Sequence, residues 1–280
     1  SQSLLAAVSE ISLRLQEAAR LSYFTCSEDC SRSEILSLGE EIKVLMEALL
    51  DASNTLSVSP LPSASLYIRF ELLQRDLALR AKALLLHLEK ANTEHLQVIR
   101  DVVGPALSSL PKECREMSQK AFKGKASQLM ANIQWVKTTL QDVLETTAQL
   151  QSRADLLSVA DHLLVLTSDA VDGASQLFQS HQDKRHLHLD SIIWYWSAKA
   201  HYLAMQLQAV QGINGHILEL MRQHLQNVGD QCSPKECSST VKLSPARELD
   251  ALRPTKSAET CLSRSGQASR AVREACKMVQ

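Results

Sequence analysis

Apolar residues recur along this chain at spacings of three and four, the repeat that gathers them on one side of a helix. Leu4, Val8, Ile11, Leu15 and Ala18 form the first such stripe. A second helix, capped by Ser33, carries Ile35, Leu38, Ile42, Leu45, Leu49, Ala52 and Leu56. The two prolines of "SVSPLPSAS" (residues 57–65) then break the pattern. A third stripe runs through Leu66, Phe70, Leu73, Leu77, Leu84, Leu88, Ala91, Val98 and Val102. It predicts one helix about 55 Å long at 1.5 Å per residue, reaching Val103 before "GPALSSLP" loosens it. Nothing in this run alternates as a strand does.

Beyond Pro111 the stripe resumes as Phe122, Ala126, Leu129, Ile133, Val136, Leu140, Val143 and Leu150. It continues almost in phase through Leu157, Leu164, Val171, Ala174 and Phe178. Ser152 and Asp155 in "QLQSRAD" resemble a capping pair and predict a turn there; an unbroken rod is the alternative. A further helix is predicted from about Asp183 to Val228, with Leu189, Ile193, Trp196, Ala200, Leu203, Leu207, Val210, Ile217 and Met221 in phase. Residues 229–257 hold three prolines and five serines with little periodicity, the pattern of a linker. The segment 258–280 is amphipathic again, with Ala268, Val272, Ala275 and Val279 on one face. Six long helices with short connections predict an all-α fold of long antiparallel helices in two consecutive bundles, residues 1–110 and 111–228. A flexible linker (229–257) and a C-terminal amphipathic helix (258–280) follow.

The aromatic residues complicate this picture. The chain has eleven, and four of them crowd into "SIIWYWSAKAHY" (residues 191–202). Neighbours on a helix diverge by about 100°, so Trp194, Tyr195 and Trp196 cannot share one face. Trp196 lies with Ile193, Ala200, Leu203 and Leu207 and belongs to the core. Trp194 points about 200° away, in line with Ala198, His201 and Met205, while Tyr195 aligns with Tyr202. Either a second layer of helices covers those faces, or Trp194, Tyr195 and Tyr202 form a partner-binding surface.

Composition narrows the function classes. With 45% hydrophobic residues over 280, the chain can bury one large core or two smaller ones. A formal net charge of −1 gives no reason to expect nucleic acid or anionic lipid as the main ligand. No apolar run approaches the ~18 residues of a membrane span, and no signal peptide is visible. The missing initiator Met suggests a fragment of a longer protein. Seven cysteines without regular spacing read as thiols of a reduced, cytoplasmic protein, although Cys26 with Cys30, or Cys232 with Cys237, could pair under oxidation. Cys114, Cys261 and Cys276 read as small apolar residues of helices.

The candidate chemistry is sparse. His181, His186 and His188 with Asp190 form the most metal-like cluster, but "HLHLD" suits a strand, and on a helix residues two apart diverge. Neither Cys26-x3-Cys30 nor Cys232-x4-Cys237 has ligand spacing. No nucleophile elbow, P-loop, HExxH or dinucleotide fingerprint occurs. His95 and Arg80 fall in the apolar register of the third helix, where polar residues fix register or bind across a bundle. The basic run Lys112–Lys125 offers a contact for an acidic partner. Ser233-Pro234 and Ser244-Pro245 would add negative charge to a net basic C-terminal segment if phosphorylated. No enzyme, metal or cofactor is expected.

"RLQEAARLSYFTCSEDCSRSEILSLGEEIKVLMEALLDASNTLS" resembles a helix pair of the α-catenin and vinculin family. "DGASQLFQSHQDKRHLHLDSI" is similar to that family's helix junction, with Asp183, Lys184, Arg185 and Leu187 at the turn. These windows, mainly residues 11–57 and 172–193, imply a vinculin-like helical bundle. They also imply a cytoskeletal or cell-adhesion scaffold that binds helices or bundles of other proteins, at the cytoskeleton or a cell junction. The Trp-rich helix departs from the family, and no recognisable actin-binding tail is present. A spectrin-repeat-like rod from a larger signalling protein, such as a Rho exchange factor, is the competing reading.

Overall fold

A computed structural model describes residues 2–108, 112–145, 150–179 and 186–209. They form seven helices and, among the described residues, no strand: α1 (Gln2–Thr25), α2 (Asp29–Val58), α3 (Ala64–Ala91), α4 (Thr93–Leu107), α5 (Lys112–Glu145), α6 (Leu150–Gln179) and α7 (His186–Ala209). The all-α expectation holds. The proposed linker 229–257, the C-terminal helix 258–280, the helix beyond Ala209 and the junction at Asp183–Arg185 lie outside the described residues. No described helix is long and apolar enough to cross a membrane.

Only three residues separate α1 from α2, so the two pack antiparallel. Arg32 Nε donates to the Tyr23 carbonyl at 3.1 Å, satisfying an acceptor at the end of α1. Gly39 lets the helices approach closely, since a Cβ there would stand 3.1 Å from Ala19 Cβ. The second helix starts earlier than Ser33 predicts. Glu28 is the residue before α2, and Ser33 lies exposed one turn inside it. Antiparallel packing of α2 and α3 follows from two cross-pairs, Arg80–Glu41 and His87–Glu34.

The single third helix does not survive. It breaks at Asn92, whose φ and ψ of −124° and 25° leave the helical region, and α4 sets off in a new direction. Asn competes with the backbone for hydrogen bonds: Asn92 Nδ2 donates to the Leu88 carbonyl at 3.1 Å and to Ser22 Oγ at 2.8 Å. Nor does α4 stop at Val103. It continues through Pro105 to Leu107. Proline has no N–H for the Asp101 carbonyl, which instead accepts from Lys125 Nζ of α5 at 3.3 Å.

α5 and α6 fold back on each other. Phe122, near the start of α5, meets Phe178, near the end of α6, with ring centroids 5.2 Å apart. Lys137 pairs with Asp161 closer to the turn. The unbroken rod is therefore not formed, and the spectrin-like reading loses the continuous helix on which it rested. α6 begins at Leu150, so Ser152 and Asp155 lie within the helix rather than at an interruption of it. Every residue expected inside from Phe122 to Leu140 is buried. In α6 Ala174 and Phe178 are buried as expected, but Leu157, Leu164 and Val171 are half-buried, and their neighbours Leu156, Leu163 and Ala170 are buried instead. A helix that reverses direction has a new set of neighbours, and its phase is set by them.

α7 is the central element. It runs parallel to α1, as Arg14 with Ser191 and Phe24 with Tyr202 show. It is antiparallel to α6, through Thr167 with Trp196, and to α4, through His95 with His201. The buried side chains of all seven helices form one continuous cluster. α1, α2 and α3 pack together on one side, α4, α5 and α6 on the other, and α7 touches both groups.

Candidate functional site

The first place to look is the aromatic segment of α7. Ten consecutive residues, Ser191 to Ala200, are buried, which a helix can achieve only with neighbours all round. Trp196 is fully buried and donates its indole N–H to Thr167 Oγ1 of α6 at 2.8 Å. Trp194 is 8% exposed and lies under Arg100 of α4, whose guanidinium stands 5.1 Å from the ring. Tyr195 is equally covered, edge-on to His162 of α6, and burial pushes its hydroxyl up to about 12. Tyr202 is half-buried against Phe24 of α1. For Trp194 and Tyr195 a covering layer is observed, while Tyr202 stays partly exposed. Trp194 and Tyr195 offer little surface to a partner in this arrangement.

Polar groups line the same helix, and Lys199 and His201 are engaged with neighbouring helices. Lys199 Nζ sits 2.6 Å from His162 Nδ1 and 5.1 Å from the centre of the Tyr195 ring. Burial lowers the lysine's pKa, and burial together with the lysine lowers that of His162. At the α3–α4 break, His95 and His201 stack with centroids 4.7 Å apart. His201 Nδ1 lies 3.0 Å from Asn92 Oδ1. Because Asn92 donates its amide to a carbonyl, its oxygen must accept, which assigns the His201 proton to Nδ1. Burial, and secondarily the neighbouring His201, drives the His95 pKa down to about 3. Burial lowers His201 as well, against the opposing effect of a hydrogen bond with the Ala91 backbone. Both rings are neutral at pH 7 and serve as a satisfied polar layer between helices.

The other sequence candidates disperse. His95 is buried as its register predicts, but Arg80 is exposed and paired with Glu41. His188 is exposed beside Arg14, and His181 lies outside the described residues. Among the described residues no group of three His, Cys, Asp or Glu could hold a metal ion. Cys26 and Cys30 are free thiols, and Cys114 is exposed rather than packed as a small apolar residue. Of the basic run, Lys125 is engaged with Asp101, while Lys120 and Lys123 are exposed.

The feature that the apolar pattern concealed lies on α3. This helix has two apolar faces. Leu77, Leu84 and Leu88 are buried in the core. About 180° away, Ile68 (57% exposed), Leu72 (52%), Leu79 (59%) and Leu86 (64%) form a second stripe, aligned within about 40° of each other. With Arg75 and Lys82 they complete an alternating spacing of four and three, the seam of a heptad repeat. Beside it, between α2 and α3, runs an open groove of about 410 Å³ lined by Glu40, Glu41, Val44, Leu45, Asp76 and Arg80. The signal was available in the sequence as two sets of Leu half a turn apart. One stripe is enough to explain a helix, so the first set conceals the second. Comparison with protein-family models, with curated proteins and with solved structures gives no match.

Proposed function

We propose that this chain is a non-enzymatic scaffold or adaptor whose outer face on α3 receives a helix of a partner protein. The supporting observation is the exposed heptad stripe Ile68–Leu72–Leu79–Leu86 on a helix already anchored through its opposite face. Apolar side chains aligned over five turns are what an amphipathic helix needs in order to lie along another helix. Scattered exposed leucines are ordinary, but an aligned row of this kind marks an interaction site. The two-bundle, vinculin/α-catenin-like arrangement belongs to the same reading, with α7 as the helix shared by both groups. So does the cytoskeletal or adhesion role in the cytoplasm that the family resemblance implies.

The double variant Leu72→Asp/Leu79→Asp tests this. Both residues are exposed, so helix content and melting should be unchanged. The wild-type chain should capture from cell lysate a set of proteins that the variant does not retain. Identical captured sets, or none with the wild type, would overturn the proposal.

A further inference from the structure

Two of the six seam positions on α3 are cations, and their surroundings specify what should cover them. Arg75 and Lys82 stand one heptad apart within the stripe, exposed, with no ion pair or hydrogen bond among the described residues. Three other basic groups of α3 are matched: Arg80 with Glu41 at 2.7 Å, Lys90 with Glu28 at 2.7 Å, and His87 with Glu34 at 3.4 Å; Arg69, exposed and outside the seam, has no such pair among the described residues. A charged residue in a heptad seam costs affinity unless the facing helix supplies its complement, so it selects partner and register. We infer that the α3 stripe docks an amphipathic helix of another protein with leucine-like residues along its seam and carboxylates opposite Arg75 and Lys82. The inference rests on the docking reading given above and adds the sign and position of the partner's charges.

Three other occupants fit less well. A second copy laid in register on the same stripe would set Arg75 and Lys82 against leucines if antiparallel and against their own copies if parallel. Neither seam contains a carboxylate. The chain's own amphipathic segment 258–280 carries Arg264, Arg270, Arg273 and Lys277 against Glu259 and Glu274, the same sign as the seam cations. An anionic membrane favours cations at the margins of an apolar face, where they reach the headgroups. Here they interrupt its middle, at Arg75 and Lys82.

The test uses the full chain and three synthetic helical peptides of about three heptads with leucine seams. They differ only at the two seam positions that face Arg75 and Lys82, occupied by Glu, Lys or Leu. Fluorescence anisotropy should give a Kd for the Glu peptide about tenfold or more below that for the Lys peptide, a preference diminished by salt. The charge reversal Arg75→Glu/Lys82→Glu should invert the order. Binding of all three peptides with equal affinity would leave the docking surface standing and overturn the acidic-partner inference. If none binds, and Leu72→Asp/Leu79→Asp captures the same proteins as wild type, the docking reading itself fails. Stripe-dependent binding to phosphatidylserine-containing vesicles in place of the peptides, or a dimer abolished by Leu79→Asp, would also overturn the inference.

Discussion

Trp194 and Trp196 occupy opposite sides of one helix, and both are buried. The covering of Trp196 follows from its stripe; that of Trp194 comes from Arg100 above it and from the helices on that side. Removing a large buried ring leaves a cavity and, for Trp196, also leaves Thr167 without its indole donor. Trp196→Ala should cost roughly 3–5 kcal/mol of unfolding free energy. Trp194→Ala should cost a comparable amount, because the helix is enclosed on both faces. Urea titrations followed by circular dichroism measure both. A neutral Trp194→Ala would show that its covering layer contributes nothing to stability.

At the scale of the element, the break between α3 and α4 is a point where polar chemistry overrides a favourable apolar register. The stripe runs straight through Asn92, yet the Asn side chain bonds to Leu88, Ser22 and His201 and the helix turns. This arrangement makes the break pH-sensitive. The folded pKa of His95 is about 3, below the ~6.5 of an unfolded histidine. Between those values the unfolded chain binds a proton that the folded chain does not. Stability is therefore full above about pH 6.5 and falls as the pH is lowered towards 3. From His95 alone the loss between pH 7 and pH 5 should be about 2 kcal/mol. His201, which is also lowered, acts in the same direction, while Glu94 nearby opposes it. The variant His95→Phe keeps a ring in the stack and cannot titrate. Its unfolding free energy should fall by about 2 kcal/mol less than wild type over that range, whatever its absolute stability. Equal slopes would mean that His95 is not neutral and buried as described.

For the whole molecule, the decisive feature is that α7 belongs to both groups of helices. Leu21 of α1, Trp196 of α7 and Ile133 of α5 belong to one continuous cluster of buried side chains. A core shared through a central helix cannot lose one side without exposing the other, which predicts one cooperative transition. Tryptophan fluorescence, reporting on Trp194 and Trp196 in α7 and Trp135 in α5, should change at the same urea concentration as the circular dichroism of the full chain. Two separated transitions would show that the groups unfold independently and that α7 is loosely held by one of them.

Sequence alone determined that this chain is helical and where most of its inward faces lie. Those properties depend on local spacing: the buried positions from Phe122 to Leu140 could be read because each residue's face is fixed by its neighbours three and four away. The packing decided what spacing does not encode. It placed the break at Asn92, because that residue's partners are Ser22 and His201, 70 and 109 positions away. It moved the inward face of α6 as far as Val171 by one residue, because α4, α5 and α7, rather than a continuing rod, surround that helix. It enclosed Trp194 and Tyr195, which a periodic pattern could only describe as facing elsewhere. And it left the outer stripe of α3 uncovered, since an apolar row looks the same in a sequence whether a neighbour lies against it or solvent does.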